Sequence, residues 1–185
     1  MSRMRRRSAG DSGAAAVEFA LVLPILVLIL FGIIDYGLFF SNTINAQSGV
    51  QTAARQAVVG NLDTTCTPPS DVLAGTSTDV GELMCMVKDH TGSITGKSFV
   101  KVVFPPDPGD LAHPNGGWYQ DHQLIVCEVI EVQGLTGYVP LPRHAGKVAI
   151  RSRVVTQIET VAPAQQQDDP GGEEDSPPGD WGWCT

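Results

Sequence analysis

The sequence predicts an α+β protein built on one long N-terminal helix. Three observations carry that prediction: an unbroken apolar run near the N-terminus, a stripe of small apolar residues continuing its helical period, and three later segments with strand character. The run FALVLPILVLILFGIIDYGLFF, Phe19 to Phe40, contains one charged residue, Asp35. As a helix of 22 residues it would be about 33 Å long, the thickness of a bilayer core. It is apolar on every face, unlike a helix that packs one stripe against a soluble core. Beyond it, Ala46, Val50, Ala53, Ala54, Ala57 and Val58 recur at spacings of three and four. Gly60 and Asn61 then supply a stop signal. One helix over about 14–60 is therefore expected, transmembrane at about 19–40 and amphipathic later. Pro24 deletes one backbone hydrogen bond and is expected to kink or loosen it near Ala20, and Gly49 is a second weak point.

The remaining elements follow in chain order. Residues 1–13 form a basic leader. Residues 62–78 are rich in Asp, Thr, Pro, Ser and Gly and read as loop. In DVGELMCMVKDHTG, Asp79 is the expected N-cap, Glu82 completes a capping box, and Gly92 ends a short helix. Phe99–Phe104, Leu124–Val132 and Val148–Ile158 read as strands separated by Pro- and Gly-rich segments at 105–117 and 134–146. The last of the three alternates, with Val148, Ile150, Val154 and Ile158 on one face and Arg151, Arg153 and Gln157 on the other. A small antiparallel sheet against the helix stripe is the simplest assembly, giving an outer domain over 61–163. The last 24 residues hold six acids and no lysine or arginine, so 164–185 is expected to be a flexible acidic tail.

Charge and cysteines bound the function. The net charge of −8 conceals a cluster of Arg3, Arg5, Arg6 and Arg7 before the apolar run. That asymmetry places the N-terminus in the cytoplasm and everything beyond about residue 41 outside. It is a topology signal facing membrane lipid, and no basic stripe suited to nucleic acid is present. Cys66, Cys85, Cys127 and Cys184 all fall in the outer part, where disulfides persist. Local loop closure favours Cys66 with Cys85, leaving Cys127 with Cys184. A buried free thiol at Cys127, beside Ile125 and Val129, is the alternative. His113, Asp121 and His122 cluster in a loop without metal-ligand spacing, so no metal and no cofactor is expected. With no nucleophile elbow, phosphate loop or paired-carboxylate motif, the chain does not read as an enzyme. Trp118, Tyr119, Trp181 and Trp183 read as packing or tail residues.

The informative motif is SGAAAVEFALVLP. A glycine closes the basic leader, four small or apolar residues follow, and then Glu18 and Phe19 open the apolar run. This resembles a class III, prepilin-type signal. GAAAVEFALVLPILVLILFGIIDYG, with NAQSGVQTAARQAVV downstream, resembles the TadE-like family of minor pilins or pseudopilins of the tight-adherence pilus. Leu38 departs from that pattern, where members often carry a basic residue. The resemblance implies Gly13 as the scissile residue, Ala14 as the new N-terminus and Glu18 as the acidic position used in assembly, paired with an ammonium at Ala14. It implies as partners a prepilin peptidase, other pilin or pseudopilin subunits and the assembly machinery. It also implies a single-pass location in the cell membrane and incorporation into a surface pilus. An uncleaved, signal-anchored extracytoplasmic binding protein is the other reading. Asp35, near the outer end of the run, is expected to be a solvated interfacial residue.

Overall fold

In the computed structural model the described residues are 11–63, 65–66, 77–92, 96–132, 143–144, 147–160, 167–169, 171–173 and 181–185. The arginine leader and most of the loop over 62–78 lie outside them. The architecture is the expected α+β. Helix α1 spans Asp11–Val58, 48 residues, and runs through both Pro24 and Gly49 without interruption. Helix α2 spans Thr78–Thr91. Its N-cap is Ser77, not Asp79: the Ser77 hydroxyl accepts from the Val80 N–H at 3.3 Å. Asp79 instead lies in the first turn, where a negative charge meets the positive end of the helix dipole. Glu82 is buried rather than closing a capping box. Gly92 ends α2 in the left-handed conformation, as the sequence suggested.

Strands β1 (Lys97–Val103), β2 (Gln123–Glu131), β3 (Arg143–His144), β4 (Lys147–Gln157) and β5 (Gly172–Glu173) form one antiparallel sheet in the order β3-β4-β2-β1-β5. The three long strands are those legible as apolar alternation. The two short ones are two-residue ladders that no periodicity could disclose.

Both helices cover one face of the sheet. Val50, Ala53, Ala54 and Ala57 of α1 meet Val80, Leu83, Met84 and Val87 of α2 over Val100, Val102, Leu124 and Val126. Small residues on α1 let the second helix approach closely. Gly49 is the extreme case, since a Cβ there would lie 2.8 Å from the Thr91 backbone nitrogen. Its absence of a side chain is thus a packing requirement, and the position is not a weak point. One polar group is buried at the same junction. Glu128 on β2 accepts from the Thr91 hydroxyl at 2.9 Å and from the Ser98 hydroxyl at 2.5 Å. Bonding to hydroxyls offsets the cost of taking its carboxyl out of water.

The opposite face of the sheet is closed by the C-terminal segment. Trp181 and Cys184 pack on Phe99, Ile125, Cys127, Val129 and Ala149, and Trp183 rests against them. The described residues of this segment are therefore docked, in contrast to the flexible tail expected from composition. Composition misses it because two indole rings and one cysteine bury on the sheet without any branched aliphatic residue nearby in sequence.

Candidate assembly helix and its outer domain

Helix α1 is long and apolar enough to cross a membrane. From Gly13 to Ile34 its side chains are exposed on nearly every side, including Phe19, Leu21, Leu28 and Ile33. From residue 35 onward one face is covered. Asp35 is 3% exposed and Asn42 fully buried, on the stripe that continues through Phe39 to Ala46. Asp35 is thus not the solvated residue expected. The spacing 35, 39, 42, 46 belongs to the domain-facing stripe, and the two polar members disguised it. The opposite side keeps Tyr36, Phe40 and Ile44 exposed.

The motif residues sit at the start of this helix. Gly13 lies in the first turn of α1, exposed, with nothing within 4 Å of where a Cβ would be. In a first turn the N–H groups have no intrahelical acceptor, so opening it to an extended form sacrifices few hydrogen bonds. Ala14 and Glu18 are exposed and one helical turn apart on the same face. Glu18 makes no ion pair among the described residues.

In the α+β domain the four cysteines lie in two pairs at disulfide distance. Cys66 and Cys85 have Cα atoms 5.9 Å apart, as do Cys127 and Cys184. The first pair ties the chain just after α1 to α2. The second ties the C-terminus to the central strand.

The loop between β1 and β2 gathers the residues singled out as His113, Asp121 and His122, but around a different acid. Asp110 Oδ2 lies 2.9 Å from His122 Nε2 and 3.2 Å from His113 Nδ1. Asp121 stands aside in a left-handed turn, its N–H donating to the Ile158 carbonyl. The short spacing from Asp110 to His113 was the available signal for the true centre. The hydrogen bond from His122 and then the Ala112 N–H hold the Asp110 carboxyl well below the usual carboxylate range. His113 stacks on Tyr119 with ring centroids 3.7 Å apart, and the Tyr119 hydroxyl donates to Asp168 at 3.0 Å. Trp118 donates its backbone N–H to the Gln167 carbonyl at 2.9 Å. The cluster therefore fastens the C-terminal segment to the β1–β2 loop. Among the described residues, no group of three or more His, Cys, Asp or Glu is placed to hold a metal.

No curated protein and no solved structure matches the chain. A family model does match, and it falls on the helix that both crosses the exposed apolar region and enters the core. Residues 13–55 match the model for TadE-like protein, and over that segment the chain is similar to that family.

Proposed function

We propose that this chain is a pilin-like structural subunit, cut after Gly13 by a prepilin peptidase and taking part in assembly of a tight-adherence type pilus. The observation that carries this reading is the double use of α1. Its first half is an exposed apolar rod beginning at the TadE-like motif, and its second half is a wall of the outer domain's core. Lipid surrounds residues 14–34, and the outer domain begins at Asp35, directly at the membrane surface. The N-terminus is cytoplasmic, and the two cysteine pairs suit an oxidising exterior.

Processing and assembly draw on different residues. Cleavage needs an extended backbone at Gly13, which an unbranched residue at a helix end supplies. Once cut, Ala14 carries a free ammonium that Glu18 of the same chain or of a neighbour can pair with. An ammonium left unpaired at a packed helix surface costs several kcal/mol, roughly what breaking a buried ion pair costs.

N-terminal sequencing of protein from membranes and from sheared filaments tests the reading. The wild type is expected to begin at Ala14. Gly13→Val should keep its leader, while Glu18→Val should be cut normally and be missing from filaments by immunoblot. Wild-type protein that retains Met1 would instead make the chain an uncleaved signal-anchored protein.

A further inference from the structure

The two edges of the sheet are finished differently. On the β1 side the chain's own C-terminal segment adds β5, pairing Lys101 with Glu173 and Val102 with Gly172. A 2.7 Å ion pair between Lys101 and Glu173 reinforces it. On the β4 side, β3 pairs only with Lys147 and Val148.

The register shows which groups the rest of β4 offers. Val132 donates its N–H to the Val148 carbonyl and Ile158 donates to the His122 carbonyl, with continuous pairing between. Backbone groups of even-numbered β4 residues therefore face β2, and those of odd-numbered residues point off the sheet. Arg151, Arg153, Val155 and Gln157 are all exposed. Among the described residues, nothing bonds to their outward N–H and C=O groups. Among the described residues this leaves an edge of seven residues open, about 23 Å long.

We propose that the Arg151–Gln157 edge of β4 is a docking site for an extended segment of another protein that carries acidic side chains at alternating positions. Backbone ladder bonds supply affinity in such strand addition, and alternate side chains supply specificity. On the outer face the alternate positions are Arg151, Arg153, Val155 and Gln157. Arg151 lies over the Trp183 ring, 5.5 Å from its centroid, which fixes it beside the edge. Beyond Val155 the character changes. An open groove lined by Pro105, Pro106, Asp107, Asp121, Gln123 and Val155 lies at that end. The acids of the incoming strand thus belong opposite the two arginines, and neutral or apolar residues belong opposite Val155 and Gln157.

A second copy of this chain fits poorly. Full-length antiparallel pairing of two β4 edges, with Arg151 opposite Gln157, sets Arg153 diagonal to Arg153 of the other copy, and like charges at that spacing oppose pairing. The assignment stands independently of the processing and pilus reading, because it uses only the outer domain.

The test uses the full chain in detergent micelles and a synthetic extended peptide with two glutamates at alternating positions and valine or threonine elsewhere. Saturating peptide is expected to slow amide exchange of Arg151, Arg153, Val155 and Gln157 at least tenfold, leaving Ser152 and Val154 unchanged. The double variant R151E/R153E should lose this peptide and take up its lysine counterpart. Val155→Pro removes an outward donor while keeping the ladder to β2, and should weaken binding at least tenfold. A melting curve checks its fold, and if it unfolds, the charge reversal and the exchange pattern decide. Unchanged exchange with saturating peptide would overturn the proposal and leave the arginines as guards against strand pairing. Equal protection by the lysine peptide would also overturn it. So would protection without peptide accompanied by a dimer mass, which would make a second copy the occupant.

Discussion

Cys184→Ala should release the C-terminal segment from the sheet while leaving the helix-facing core intact. The Cys127–Cys184 link closes a loop of 57 residues, and the chain-entropy relation puts its contribution at about 4 kcal/mol. Without it residues 181–185 depend on the burial of Trp181, worth about 1.5–3 kcal/mol for a large apolar side chain, and on the contact of Arg151 with the Trp183 ring. Those terms face the ordering entropy of the same residues, about 1–2 kcal/mol each for the backbone. Release is therefore the expected outcome. Tryptophan emission resolves it, because Trp118 is fully buried on the helix side and serves as an internal reference. The Trp181 and Trp183 contribution should move to the red, and a denaturant titration in micelles should show roughly 4 kcal/mol of lost stability. Removing Cys66 and Cys85 instead, a loop of 19 residues, should cost about 3 kcal/mol and leave that emission unchanged. A Cys184→Ala protein with wild-type emission and less than about 1 kcal/mol of lost stability would refute the loop-closure reasoning.

Gly49→Val forces a side chain into the Thr91 backbone and should cost about 1–3 kcal/mol by overpacking, read as a lower melting temperature. Thr91→Val removes a hydroxyl donor from the buried Glu128 carboxyl and should cost about 1–3 kcal/mol in the same assay. The Asp110 carboxyl is depressed in the folded state, so its contribution is complete above the ordinary carboxylate value of about 4 and is lost as pH falls through its folded value. Acid titration followed by amide exchange should therefore show the loop at 105–122 holding through mild acid and loosening only in strong acid. Asp110→Asn should remove that acid transition.

Much of this fold could be read from periodicity. The stripe from Ala46 to Val58 and the alternation in β4 each bury one face, so the pattern of apolar residues is the structure. The cysteine pairs followed from loop length, because the nearer partner is entropically favoured. What escaped reading depends on contacts far along the chain. Asp35 and Asn42 are polar members of an apolar stripe, and only the domain above them makes them interior. Gly49 looks like a flaw until α2 arrives against it. The docking of Trp181 and Cys184 rests on β2, 57 residues earlier, and leaves no local trace. Gly13 and Glu18 were singled out by resemblance to a prepilin-type signal, whereas the acid at the heart of the histidine cluster, Asp110, was hidden among loop residues.

The continuity of α1 has a mechanical consequence. At 48 residues it is a rod about 72 Å long, with no linker between the exposed apolar part and the part wedged among α2 and the sheet. A tug on the α+β domain cannot be absorbed by a slack hinge and is delivered straight to the apolar end. The converse also holds: drawing the rod along its axis by one turn, about 5.4 Å, raises the whole domain by the same height. The α+β domain is then a handle fixed to a shaft, and its height and heading report where the shaft has been moved.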